Sequence, residues 1–128
     1  MCEYEKQAND FLTKTGTTFK ATQDRFDYYF ADDKDRRAIF KVTLSNARHS
    51  YTFEFGAALK DPSCTAYDVL SCLSGSPSYP DMSFSEFCEE FGYTRTTKNK
   101  NLWKRCVKEG QNVIKLFGDC LDDLYEIN

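Results

Sequence analysis

Two short segments that alternate apolar and polar residues constrain this chain more than anything else in it. Phe40, Val42 and Leu44 share one face of an extended strand, with Lys41 and Thr43 on the other. Tyr51, Phe53 and Phe55 likewise share a face, opposite Thr52 and Glu54. A period of two marks a strand with one side buried. The connection Ser45-Asn46-Ala47-Arg48-His49-Ser50 is too short for a crossover, so the pair must form an antiparallel hairpin. A lone hairpin is marginal in water. Thr17-Thr18-Phe19-Lys20-Ala21-Thr22 has the β-branched and aromatic content to supply a third strand. Phe26-Asp27-Tyr28-Tyr29-Phe30 either extends that strand or forms the far arm of a bend. The charge cluster Asp32-Asp33-Lys34-Asp35-Arg36-Arg37 reads as a loop.

Helical periods flank this sheet. Ala8, Phe11 and Leu12 predict a first helix over residues 3–14, ended at Thr15-Gly16. After Asp61-Pro62, Thr65 reads as an N-cap with Asp68 at the third position, and Ala66, Val69, Leu70 and Leu73 form the apolar stripe of the helix it opens. Gly75-Ser76-Pro77-Ser78-Tyr79-Pro80 breaks that pattern. Ser83-Phe84-Ser85-Glu86 predicts a full capping box, worth about 1 kcal/mol at the cap, with Phe84, Phe87, Cys88 and Phe91 as the apolar face and Gly92 as the stop. A long helix over 96–117 follows, carrying Leu102, Trp103, Cys106, Val107, Val113, Ile114 and Phe117, with a possible bend at Gly110. Gly118 should end it, and Asp119 should cap a last short helix bearing Leu121, Leu124 and Ile127. The expected class is α+β: a small antiparallel sheet of about three strands in the N-terminal half, packed with a helical C-terminal half.

At 128 residues the chain supports one core, so 1–128 is read as a single α+β domain. An aromatic content of 16% argues against disorder, because so many rings bury too much apolar surface to stay in water. The apolar runs are too short to cross a membrane. Met1-Cys2-Glu3-Tyr4-Glu5-Lys6 lacks the charged-then-apolar order of a secretory leader, so a cytoplasmic setting is expected. That setting favours reduced core thiols for Cys2, Cys64, Cys72, Cys88, Cys106 and Cys120 over disulfides.

No cysteine pair has Cys-x-x-Cys spacing. His49, the single histidine, reads as a polar residue beside the hairpin turn, and only the fold could bring it to a thiol. The six glycines are isolated from one another, and no phosphate loop, zinc-protease or nucleophile-elbow motif occurs. Adjacent acids such as Glu89/Glu90 and Asp122/Asp123 point about 100° apart on a helix and make no metal clamp by themselves. The expectation is no catalytic residues, no metal and no cofactor; the chain is not read as an enzyme.

Charge is strongly segregated. Residues 61–94 carry Asp61, Asp68, Asp81, Glu86, Glu89 and Glu90 with no base, while 95–108 carry Arg95, Lys98, Lys100, Lys104, Arg105 and Lys108 with no acid. Residues 109–128 are acidic again, with Lys115 as their single base. The acids Asp81, Glu86, Glu89 and Glu90, with Asp119, Asp122 and Asp123, could meet a basic groove on another protein. The alternative is a nucleic-acid surface built from Arg95, Lys98, Lys100, Lys104 and Arg105, with Tyr93 and Trp103 near enough to stack on bases. A solvated helix face with Trp103 in the core is the plainer account of the same bases.

Several elements, taken in order, carry a resemblance. They are Gln7-Ala8-Asn9-Asp10-Phe11-Leu12, Thr15-Gly16-Thr17-Thr18-Phe19, Asp33-Lys34-Asp35-Arg36-Arg37, Tyr51-Thr52-Phe53-Glu54-Phe55-Gly56, Thr65-Ala66-Tyr67-Asp68-Val69-Leu70, Phe87-Cys88-Glu89-Glu90-Phe91-Gly92-Tyr93 and Leu124-Tyr125-Glu126-Ile127-Asn128. The series resembles a group of small proteins carried by phages, prophages and other bacterial mobile elements. Many of these have a longer insert before the Thr-Ala-Tyr-Asp helix; here Ala57 to Cys64 is all that separates it from the hairpin. The resemblance implies no catalytic residues. It implies action in the bacterial host cytoplasm by stoichiometric binding to a host protein complex. Anti-CRISPR inhibitors of Cas effectors are the leading example of that mode.

Overall fold

A computed structural model describes residues 3–28 and 34–127. The hairpin is present as expected. Strand β2 (Arg37–Ser45) pairs antiparallel with β3 (Ser50–Ala57), placing Phe40 against Phe55, Val42 against Phe53 and Leu44 against Tyr51. Asn46 organises the turn: its Oδ1 accepts from the backbone N–H groups of Arg48 and His49, each at 2.9 Å. Its Nδ2 donates to the Leu116 carbonyl at 3.0 Å, tying the turn to a distant helix.

Strand β1 (Thr18–Asp27) pairs with β2 on the other side, giving the order β1-β2-β3. It runs on through Phe26 and Asp27, resolving the choice between extension and bend. Tyr29, Phe30 and residues 31–33 lie outside the described residues. The register slips between Gln23 and Arg25, so that Gln23 faces Phe40 and Arg25 faces Ile39. One extra residue reverses side-chain alternation. Arg25 therefore joins the outer face, where it bonds Glu54, Asp24 and Asp27. The Arg25 guanidinium holds the Glu54 carboxyl below its ordinary range. Ile39, on that same outer face by alternation, is only 1% exposed.

The helices cover the other face. Helix α1 (Glu3–Thr15) buries Ala8, Phe11 and Leu12, and α2 (Ala66–Leu73) buries Val69, Leu70 and Leu73. Thr65 and Asp68 complete a reciprocal capping box at α2. The core continues through Val42, Leu44, Val113, Leu116, Phe117, Leu124 and Ile127. The outcome is the expected α+β arrangement, with a three-stranded antiparallel sheet first and a helical half second.

Elsewhere the local geometry departs from expectation. The segment over Ser76–Asp81, expected as a simple break, is itself a 3-10 helix. Helix α3 (Phe84–Phe91) has Ser83 Oγ accepting from the Glu86 N–H at 3.1 Å. The reciprocal half of a box is not made there, so the cap rests on Ser83 alone. Helix α4 (Thr97–Phe117) is one continuous span through Gly110. Its end falls where expected, at Phe117 with Gly118 as the C-cap; Gly118 stays in right-handed helical geometry and opens a 3-10 turn (Gly118–Cys120) leading into α5 (Leu121–Tyr125). Asp119 therefore lies inside that turn and makes no cap to α5. Among the thiols, Cys88 is buried and Cys64, Cys106 and Cys120 are half-buried, but Cys72 is exposed rather than in the core. Cys2 lies outside the described residues.

The 3-10 helix lies directly on α4. Ser76, 1% exposed, donates its hydroxyl to Glu109 Oε2 at 2.8 Å. Burial pushes the Glu109 carboxyl above its ordinary value, with the Ser76 hydrogen bond and the Arg105 charge pulling the other way. A carboxyl raised in the folded state favours folding below its ordinary pKa and loses that contribution as pH rises through the folded value. Glu109→Gln keeps a hydrogen-bond acceptor for Ser76 and removes the charge. It should raise stability near neutral pH by on the order of 0.5–1 kcal/mol and flatten the fall in stability above about pH 4.5. Denaturant titrations of both proteins from acid to neutral pH check this; an equal fall in both would show that Glu109 is not its source.

Candidate functional site

Helix α3 is short because both ends are fixed: Ser83 caps the start, and Gly92 at φ 72° turns the chain in the left-handed region that only glycine enters without strain. Phe87 and Cys88 anchor its inner face. That leaves Glu86, Glu89 and Glu90, at i, i+3 and i+4, together on the outer face. All three are exposed, as is Asp81 at the end of the preceding 3-10 helix. Glu89 lies 4.0 Å from Arg95, a surface pair worth about 0–1 kcal/mol. Asp81, Glu86 and Glu90 have no ion pair among the described residues.

Aromatic rings back this face. Tyr93 stacks on Phe87 at 5.4 Å between centroids, and Phe91 meets Phe87 edge-on at 5.1 Å. Tyr79 completes the group 6.1 Å from Phe91, its phenol pushed up to about 12 chiefly by burial. Phe91, expected on the buried face, is 47% exposed because it occupies the last turn, where the helix runs past its support. The acidic face therefore has an apolar ring at its rim. Trp103 packs against Phe84 at 5.8 Å and donates Nε1–H to the Met82 carbonyl at 2.9 Å.

The other three acids lie elsewhere. Asp119 and Asp122 are exposed beyond the end of α4, and half-buried Asp123 is ion-paired with Lys14. From Trp103 to Asp119 the helical rise is about 24 Å, so the seven acids form two groups at opposite ends of α4.

The bases come together more closely. Lys98, Lys100, Lys104, Arg105 and Lys108 are all exposed and fall on one outward face of α4, with Arg95 just before it. The first turn of α4 holds no acid. Basic charge there opposes the helix dipole, at about 0.3–1 kcal/mol per residue in low salt. Tyr93 and Trp103 are not poised for base stacking, since one lies flat on Phe87 and the other is bonded to Met82.

Two open clefts carry less chemistry. One of about 400 Å³ lies between the hairpin turn and the end of α4, lined by Lys14, Arg48, His49, Lys115, Asp119 and Cys120 among others. His49 and Cys120 share it, but no hydrogen bond joins them. The second, about 510 Å³, lies between β3 and α2 and includes Arg37, Asp68 and Cys72. Burial pushes the Cys64 and Cys106 thiols up to about 11, which disfavours the nucleophilic thiolate. Among the described residues no group of three or more His, Cys, Asp and Glu side chains could hold a metal ion, and no helix is long and apolar enough to cross a membrane. In comparisons with known proteins, no family model, curated protein or solved structure matches the chain.

Proposed function

We propose that this chain is a phage-type inhibitor of bacterial immunity, of the anti-CRISPR kind, which occupies a host effector complex one-to-one and blocks its nucleic-acid path. The observation that carries this reading is the outer face of α3, where Glu86, Glu89 and Glu90 project together beside exposed Phe91. Basic grooves that guide nucleic acid are lined with Lys and Arg, and an acidic face is complementary to them. Charges of this kind speed encounter and fix orientation, while a buried ring supplies more of the affinity. Phe91 is placed to be that ring. The mode needs no chemistry from the chain, and the bacterial cytoplasm is its proposed setting, in keeping with the resemblance to mobile-element proteins.

Tagged protein should retain such a complex from a nuclease-treated bacterial lysate at near-equal stoichiometry. Reversing Glu86, Glu89 and Glu90 to lysine should weaken that retention by at least about tenfold, and Phe91→Ala should weaken it independently of salt. Reversing Asp119 and Asp122, at the far end of α4, should leave it unchanged. Full retention by the α3 triple variant would overturn the proposal.

A further inference from the structure

We propose that the outward face of α4 is a separate contact surface for the sugar-phosphate backbone of double-stranded nucleic acid. At 100° per residue, one side of this helix gathers Lys98, Lys100, Lys104, Arg105, Lys108 and Lys115. Asn101, Gln111 and Asn112 fill the spaces between them, and Glu109, at the margin beside Lys98 and Arg105, is half-buried and accepts from Ser76. Every exposed polar group between Lys100 and Lys115 on it can donate to a phosphate oxygen. The six bases are exposed. From Lys98 to Lys115 they extend over about 25 Å of rigid helix, enough to follow several phosphates along one strand. Glu109 is the one acid of α4 and is turned inward onto Ser76, so a net charge of −3 does not cancel this local field.

Two further observations select the occupant. Lys98 and Lys100 sit at the positive end of the α4 dipole, where acids would serve the helix better; a local rule broken at a surface points to a use for that surface. The stripe itself also lacks a large exposed ring to act as the anchor of a protein interface. A polyanion needs no such anchor, because release of its condensed counterions drives binding. Single strands are the poorer fit: they are held by stacking on free rings, and Tyr93 and Trp103 are already engaged. The match is therefore to a duplex, read by its backbone and independently of sequence. This inference does not rest on the role proposed for α3.

The test is fluorescence anisotropy of the full chain with short DNA and RNA duplexes and with the corresponding single strands. Duplex should bind more tightly than single strand, and affinity should fall roughly a hundredfold between about 50 and 200 mM salt. A preference between DNA and RNA duplexes would identify the source of the phosphates. The variant Lys98→Glu/Lys100→Glu/Lys104→Glu should lose duplex binding while its melting temperature holds or rises, because the new acids suit the helix N-terminus. The corresponding triple glutamine variant should also lose binding, which separates charge loss from any misfolding of the reversal. No salt-dependent binding, binding retained by both variants, or a preference for single strands with quenching of Trp103 would each overturn the assignment.

Discussion

Gly110→Ala should destabilise the protein by about 2–3 kcal/mol, although alanine is the better helix former by about 1 kcal/mol. A β-carbon at this position would stand 2.6 Å from Pro80 Cδ, and nearer still to the Ser76 carbonyl oxygen. A flexible side-chain tip could move aside at little cost. A backbone carbonyl and a proline ring cannot, so the 3-10 helix would have to lift from α4 and strain the Ser76–Glu109 bond. The melting temperature should drop by about 8–12 °C. An unchanged or higher melting temperature would mean that the Ser76–Asp81 segment yields freely and that this glycine serves no close approach.

Phe117→Ala should cost more, about 3–5 kcal/mol. The ring is 2% exposed and meets Phe11 edge-on at 5.0 Å, at an interplanar angle of 62°. It joins α1 to the point where α4 passes into its 3-10 turn, so truncation opens a cavity bordered by both halves of the molecule. Against a typical stability of about 5–15 kcal/mol, that is a large share. Urea titration should show a lower midpoint with an unchanged slope, the mark of lost stability in an otherwise two-state protein. A loss under about 1 kcal/mol would show that the neighbouring side chains collapse into the space.

The hairpin was legible because burial of one sheet face imposes a strict period of two, which Phe40-Val42-Leu44 and Tyr51-Phe53-Phe55 obey. Thr65-Asp68 was legible because a capping box is local. The Gln23–Arg25 slip was not, because a bulge depends on what the neighbouring strand offers, and neither was the burial of Ile39 on the face that alternation assigns to solvent. Gly110 could be read as a bend or a weakness; only the approach of Ser76 and Pro80 gives its reason. At the candidate site, composition gave the number of acids and bases. Helical spacing already put Glu86, Glu89 and Glu90 on one face and Asp119, Asp122 and Asp123 past the long helix, but it could not show that Phe91 stands exposed beside the first group. Nor could it show that Tyr93 and Trp103 already have partners.

The bond from Asn46 to the Leu116 carbonyl also has a consequence in time. The hairpin that Asn46 turns is local, and structures of that kind close within about 1–10 μs. Its amide nevertheless finds its acceptor 70 residues further along the chain, and loop closure over such a span comes only after other long-range contacts have formed. The same side chain thus takes part in an early event through its oxygen and a late one through its nitrogen. The turn should be shaped first and fastened last, and the Asn46–Leu116 bond should form only once α4 has docked.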